Sequence, residues 1–190
     1  VFMGTGEPLD NYDNVLKVVR IINSHNGFNI GARRITISTC GIIPGIKRLS
    51  GEGLQIELSV SLHAADDKTR TRLMPVNKKY PLKDLISACK EYAAATKRQV
   101  TFEYVLIKGL NCSREAADNL TGLLSGWECK LNLLVYNPVQ EFPYQPADEG
   151  EIEFFVWLLR KQRIMVTMRR SRGKDIDGAC GQLRLKGRLP

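Results

Sequence analysis

The residue best placed for covalent chemistry is Cys180, in the run Asp175-Ile-Asp-Gly-Ala-Cys-Gly181. Its small flanking residues leave a thiol reachable, and Arg170, Arg172 and Lys174 just upstream favour the thiolate, the nucleophilic form of cysteine. A buried, inert cysteine is the ordinary alternative; the glycine flanks and basic neighbours favour the reactive one. A second set of residues suits binding rather than bond making. Val1-Phe-Met-Gly-Thr-Gly-Glu-Pro8 runs an apolar stretch into a glycine turn. There Gly6 lets backbone approach a ligand closely, while Glu7 either accepts from an amine or caps the helix that follows. Ser38, the run Ser61-Leu62-His63, and Asn137 before Pro138 each close an apolar run. His63, one of two histidines, reads either as a ligand contact or as a strand-end imidazole satisfied by the protein.

The elements that must position these residues alternate along the chain. Strand-like apolar runs are expected at Val1 to Met3, Arg34 to Thr39, Ile56 to Leu62, Val100 to Ile107, Lys130 to Tyr136 and Ile164 to Met168. Between them, helical spacing of apolar residues predicts helices over Tyr12 to Asn23, Leu82 to Ala95, Ala116 to Leu124 and Ile152 to Lys161. Alternation of this kind gives right-handed βαβ units and a mainly parallel α/β sheet. Six strands are too few for an eight-stranded barrel, so a partial barrel or an open sheet is expected. In either, ligands bind outside the carboxyl ends of the strands, where the polar residues above collect. Gln140 to Gly150 reads as a loop, and one domain spanning residues 1–190 is expected.

Composition narrows the partners. The chain is 43% hydrophobic and 25% charged, ordinary for a globular protein. It has no apolar run long enough to span a membrane and no signal-peptide layout. The net charge of +8 is localised: from Arg160 to Pro190 there are ten Lys/Arg and two acids, against eighteen of each in residues 1–159. Such a segment engages phosphate backbones or is a solvated basic face. Five scattered cysteines, with no CxxC or CxxxC pair, suit a reducing cytoplasm rather than a disulfide scaffold.

Six segments in order carry a family resemblance: Phe2-Met-Gly-Thr-Gly-Glu-Pro-Leu9, Arg34-Ile-Thr-Ile-Ser-Thr-Cys-Gly41, Ser59-Val-Ser-Leu-His-Ala64, Pro75-Val-Asn-Lys-Lys-Tyr80, Asn137-Pro138 and Asp175-Ile-Asp-Gly-Ala-Cys-Gly-Gln-Leu183. Together they resemble the radical S-adenosylmethionine RNA methyltransferases that methylate carbon 2 of adenosine in 23S rRNA and tRNA. The carbon 8 enzymes of the Cfr type form a sister family sharing most of these motifs. The resemblance implies a partial (β/α)6 radical barrel. It implies that Gly6 and Glu7 contact the methionyl amine of S-adenosylmethionine, and that Ser38, Ser61, Leu62, His63 and Asn137 hold the rest of that cofactor. Cys180 would carry the methyl group as S-methylcysteine. A second S-adenosylmethionine would be cleaved to a radical that activates it, with an external electron donor.

One departure is large. The family binds a 4Fe-4S cluster through CxxxCxxC, and thiolates are the expected cluster ligands. The motif is absent here, and Cys40, Cys89, Cys112 and Cys129 have the wrong spacing to replace it. In the family it precedes the Gly-Glu-Pro turn, as do a general base and a second cysteine. The chain is therefore expected to be an N-terminally truncated portion, inactive by itself, with no metal ligands of its own. A basic RNA-binding module without catalysis is the rival from another class. A nucleotide-binding α/β enzyme is disfavoured, because Gly4-Thr-Gly-Glu-Pro8 puts an acid and a proline where a phosphate cradle needs free amides.

Overall fold

The computed structural model describes residues 1–4, 6–139 and 142–169. Among the described residues, five strands form one parallel sheet in sequential order: β1 (Thr36–Thr39), β2 (Glu57–Ser61), β3 (Val100–Leu106), β4 (Cys129–Val135) and β5 (Val166–Arg169). Helices α1 (Tyr12–Asn23), α2 (Ile43–Ser50), α3 (Asp67–Leu73), α4 (Leu82–Thr96), α5 (Arg114–Leu124) and α6 (Glu149–Lys161) alternate with them. Crossovers of one hand between sequential neighbours put every helix on the same side of a sheet, the arrangement of a barrel rather than of a doubly wound fold. The α/β class and parallel sheet expected from the sequence are those observed.

The register assigns the two faces. Ile37, Leu58 and Val100 are paired across the sheet, as are Thr39, Val60, Phe102, Leu131 and Val166, and these rows face the helices. They join Val19 of α1, Ile46 of α2, Leu85 and Tyr92 of α4, Leu120 of α5 and Phe155 of α6 in one core. Tyr92 is fully buried there, its hydroxyl donating to the Ile56 carbonyl at 2.8 Å, which is how a core tolerates a phenol. The opposite face is polar: Ser38, Ser59 and Thr101 form one row, and Ser61, Glu103, Asn132 and Thr167 the next. Strands buried on both faces read as continuous apolar runs, whereas these alternate.

Where structure and sequence differ, local chemistry explains it. The first expected strand, Val1 to Met3, contributes a single parallel bridge, Phe2 to Ile37. Gly4, at φ +130°, turns the chain away immediately after it. Two helices were not expected. In α2 the early Pro44 and Gly45 mask the apolar spacing, and α3, Asp-Lys-Thr-Arg-Thr-Arg-Leu, has no apolar stripe. Helices α5 and α6 start two and three residues earlier than their apolar patterns, because Ser113 caps the first and an Asp148–Glu151 capping box opens the second.

Candidate functional site at the carboxyl ends of the strands

The glycine turn is built by conformation. Gly6 sits at φ +99°, a region open to glycine, and no heavy atom lies within 4 Å of where a Cβ would project. Glu7 follows as the N-cap of a short 3-10 turn, Pro8–Asn11. Its Oε1 accepts from the Leu9 amide at 3.0 Å and its Oε2 from the Cys40 amide at 2.7 Å. The capping role is thus realised, and the same carboxylate ties the turn to the end of β1. Leu9 is pressed on α2, where a Cβ on Gly45 would come within 2.8 Å of the Leu9 Cβ. The glycine turn thereby rests on the helix layer.

Arg70 holds the next two strand ends. It is fully buried in α3, and its guanidinium donates to Cys40 O (2.8 Å), Ser61 O (3.1 Å), Leu62 O (3.2 Å) and Asn77 Oδ1 (2.9 Å). Asn77 in turn donates to the Asp67 carboxylate at 2.9 Å and to Thr71 Oγ1 at 2.9 Å. No carboxylate touches the guanidinium among the described ion pairs; its charge is satisfied by carbonyl dipoles. Burial lowers its pKa from the usual arginine value, yet a guanidinium stays charged in a protein.

His63 stands past the end of β2 with φ +58°. Its Nδ1 accepts from the Val105 amide at 3.2 Å, extending the β2–β3 ladder by one side-chain bond. An imidazole that accepts at Nδ1 carries its proton on Nε2 when neutral. Burial, helped by the Arg70 charge, lowers its pKa to about 4, so neutral it is at pH 7. The backbone is pinned by Asn111, which donates to His63 O (2.8 Å) and Val105 O (2.6 Å) while accepting from Ile107 N (2.9 Å). Asn111 is thus a buried brace.

The remaining candidates are distributed around this frame. Ser38 and Ser61 are half-buried on the polar sheet face, and Asn137 is half-buried just past β4. Leu62 is fully buried among the core residues, with its amide donating to Glu103 O at 2.9 Å and its carbonyl taken by Arg70. It therefore spaces Ser61 from His63. Cys180 and the basic residues from Arg170 onward lie outside the described residues. Sequence reading missed Arg70 and Glu103. An acid inside the apolar run Val100 to Leu106 was the available signal for Glu103; nothing in the spacing pointed to Arg70.

A cluster of iron and sulfur does not fit the donors present. Cys89, Cys112 and Cys129 are buried and Cys40 half-buried. Burial pushes the thiols of Cys40, Cys89 and Cys112 up to about 12 and that of Cys129 to about 11. Metal ligation needs thiolates. No group of three or more His, Cys, Asp or Glu side chains among the described residues is arranged to hold a metal ion.

Comparison with known proteins places the chain among relatives of known family. Over 186 residues the chain is 49% identical to the probable dual-specificity RNA methyltransferase RlmN of Thermoanaerobacter sp., covering 98% of this chain and 54% of that protein. Over 184 residues it is 50% identical to the protein of the same name from Clostridium acetobutylicum, covering 97% and 53%. The chain thus spans about half the length of the curated relatives it matches. The crystal structure of a radical SAM methyltransferase from Sphaerobacter thermophilus superposes with a TM-score of 0.91 at 47% identity, over 95% of this chain and 53% of that one. A domain of a pyruvate-formate lyase-activating enzyme from Bacteroides vulgatus shares the fold alone, with a TM-score of 0.66 at 16% identity. Residues 1–119 match the Radical SAM superfamily, and the chain belongs to that family.

Proposed function

We propose that the chain is the cofactor-binding and methyl-carrying part of a radical S-adenosylmethionine enzyme that methylates carbon 2 of adenosine in 23S rRNA and tRNA. The observation that carries this reading is the convergence of Gly6, Glu7, Ser38, Ser61, His63 and Asn137 on the carboxyl ends of one polar-faced sheet. Binding there is the rule for parallel α/β sheets. The RNA methyltransferase names of relatives at about half identity supply the substrate class.

S-adenosylmethionine suits these residues, and when bound it supplies a methyl carbon on a sulfonium sulfur. Glu7, in this reading, offers its carboxylate to the ligand amine, and Gly6 gives close backbone approach. Ser38 and Ser61 present hydroxyls from adjacent strands, while His63 offers a neutral Nε2–H, an uncharged donor that does not repel a cation. Asn137 presents an amide beyond β4. Cys180 carries the methyl group as S-methylcysteine, and the basic segment from Arg160 onward meets the RNA phosphates. The iron–sulfur cluster of the family has no ligands among the described residues, so it is held by a part of a longer protein in this proposal.

The test uses a parent protein that supplies the residues before Val1, reconstituted anaerobically with iron and sulfide. It is expected to place 2-methyladenosine in RNA, read by mass spectrometry, and Cys180→Ala is expected to abolish that product. Formation of 8-methyladenosine instead would move the chain to the sister chemistry. Unmethylated RNA from a reconstituted, unsubstituted parent would leave only the binding module.

A further inference from the structure

Glu103 lies in the middle of β3 and is 7% exposed. Its Oε1 accepts from Ser59 Oγ and from Asn132 Nδ2, each at 3.1 Å. Among the described residues its Oε2 is buried with no hydrogen-bond partner and belongs to none of the ion pairs. A buried carboxylate is ordinarily paired or fully hydrogen-bonded, and the penalty for an unmade bond is largest when the group is charged. Glu103 is well fixed, its carbonyl accepting from both Leu62 N (2.9 Å) and His63 N (3.3 Å). In the register it pairs with Ser61 on one side and Asn132 on the other, so its side chain shares the polar face with a proposed cofactor contact.

We infer that Glu103 is a further cofactor-binding residue, whose Oε2 accepts a hydrogen bond from a hydroxyl or ammonium donor of S-adenosylmethionine. This rests on the cofactor reading above. Charge favours the cofactor over RNA as the source of the donor: the ligand is cationic at sulfur and at its amine, whereas a polyanion approaching an unneutralised carboxylate is repelled. Ser59 and Asn132 prepare the site by occupying the other oxygen, which leaves Oε2 to the ligand.

Glu103→Gln is the direct test, because it keeps shape and changes one atom. In the variant Ser59 and Asn132 still donate to the amide oxygen, so the amide NH2 points where Oε2 was and meets the ligand donor with a second donor. Calorimetric titration of the reconstituted parent protein with S-adenosylmethionine and with S-adenosylhomocysteine, which keeps the hydroxyls and amine but lacks the sulfonium charge, should show both weakened roughly tenfold to hundredfold by the substitution. Glu103→Asp, which keeps the charge and retracts it by one methylene, should recover part of the loss. Thermal unfolding of each variant identifies the folded ones. A folded E103Q chain that binds both ligands as tightly as the parent overturns the inference and leaves Oε2 to a structural water. So does an E103Q chain that loses only RNA affinity, or one that fails to fold while E103D binds unchanged. A reconstituted, unsubstituted parent protein that binds neither ligand overturns the cofactor reading itself, a distinct result.

Discussion

Arg70 Nη2 and the carbonyl oxygen of Cys40 are 2.8 Å apart, which binds the middle of α3 to the residue just past the end of β1. The same guanidinium reaches Ser61 and Leu62 at the end of β2, so one side chain sets the spacing of two strand ends that carry candidate ligand contacts. Replacing it orphans several buried carbonyls at once. Arg70→Met is expected to cost about 3–5 kcal/mol of unfolding free energy, and Arg70→Lys nearly as much, since an ammonium cannot reproduce the planar fork. Urea denaturation measures this, and a loss below about 1 kcal/mol would falsify the bracing role.

Glu7 makes two bonds that a glutamine cannot both keep. Its two oxygens each take a backbone amide, from Leu9 and from Cys40. In Glu7→Gln one amide N–H must face the side-chain NH2, and in Glu7→Ala both lose their acceptor. The expected destabilisation is about 1–3 kcal/mol, larger for Ala. Under the proposed function both variants also weaken S-adenosylmethionine binding, which calorimetry reads. Stability loss with unchanged affinity would make Glu7 purely a cap.

Much of this was legible because periodicity survives on one-sided elements. Tyr12 to Asn23 announces its apolar stripe and forms α1 with those bounds. The strands alternate because one sheet face is polar, and the residues closing them, Ser38, Ser61 and His63, could be read as a rim before any coordinates. Arg70 could not. It lies in a polar stretch whose helix depends on the Asp66 cap and on carbonyls up to 30 residues away in sequence, and no local pattern encodes such contacts. Glu103 is the intermediate case: an acid among apolar neighbours marked an anomaly, but only register showed Ser59 and Asn132 on the same oxygen.

His63 predicts a signed pH dependence. Its folded pKa is about 4 against an ordinary 6.5, so between those values the unfolded chain binds a proton that the native chain refuses. Its stabilising contribution is fully present above pH 6.5 and is lost as pH falls toward about 4, with a slope of up to about 1.4 kcal/mol per pH unit. His63→Asn removes the titration while tolerating the left-handed backbone at φ +58°. Urea unfolding from pH 7 to pH 4 should therefore show a shallower decline for the variant. Parallel declines would assign the acid sensitivity elsewhere.

Cysteine reactivity separates the proposed methyl carrier from the structural thiols. Burial holds Cys89, Cys112 and Cys129 protonated. At Cys40 burial is reinforced by the neighbouring Glu7 carboxylate, which disfavours the thiolate. Alkylation follows the thiolate fraction and access, so these four should resist iodoacetamide in the native chain at pH 7.5. Cys180, flanked by Ala179 and Gly181 and preceded by Arg170, Arg172 and Lys174, has the composition of a reactive site. Brief native labelling followed by peptide mass spectrometry should place the label at Cys180, with the other four labelled only after unfolding. Prior methylation of Cys180 would block that label and add the mass of one methylene to its peptide, so the same spectrum also reads the modification. Labelling spread evenly over all five thiols would remove the chemical distinction on which the methyl-carrying role depends.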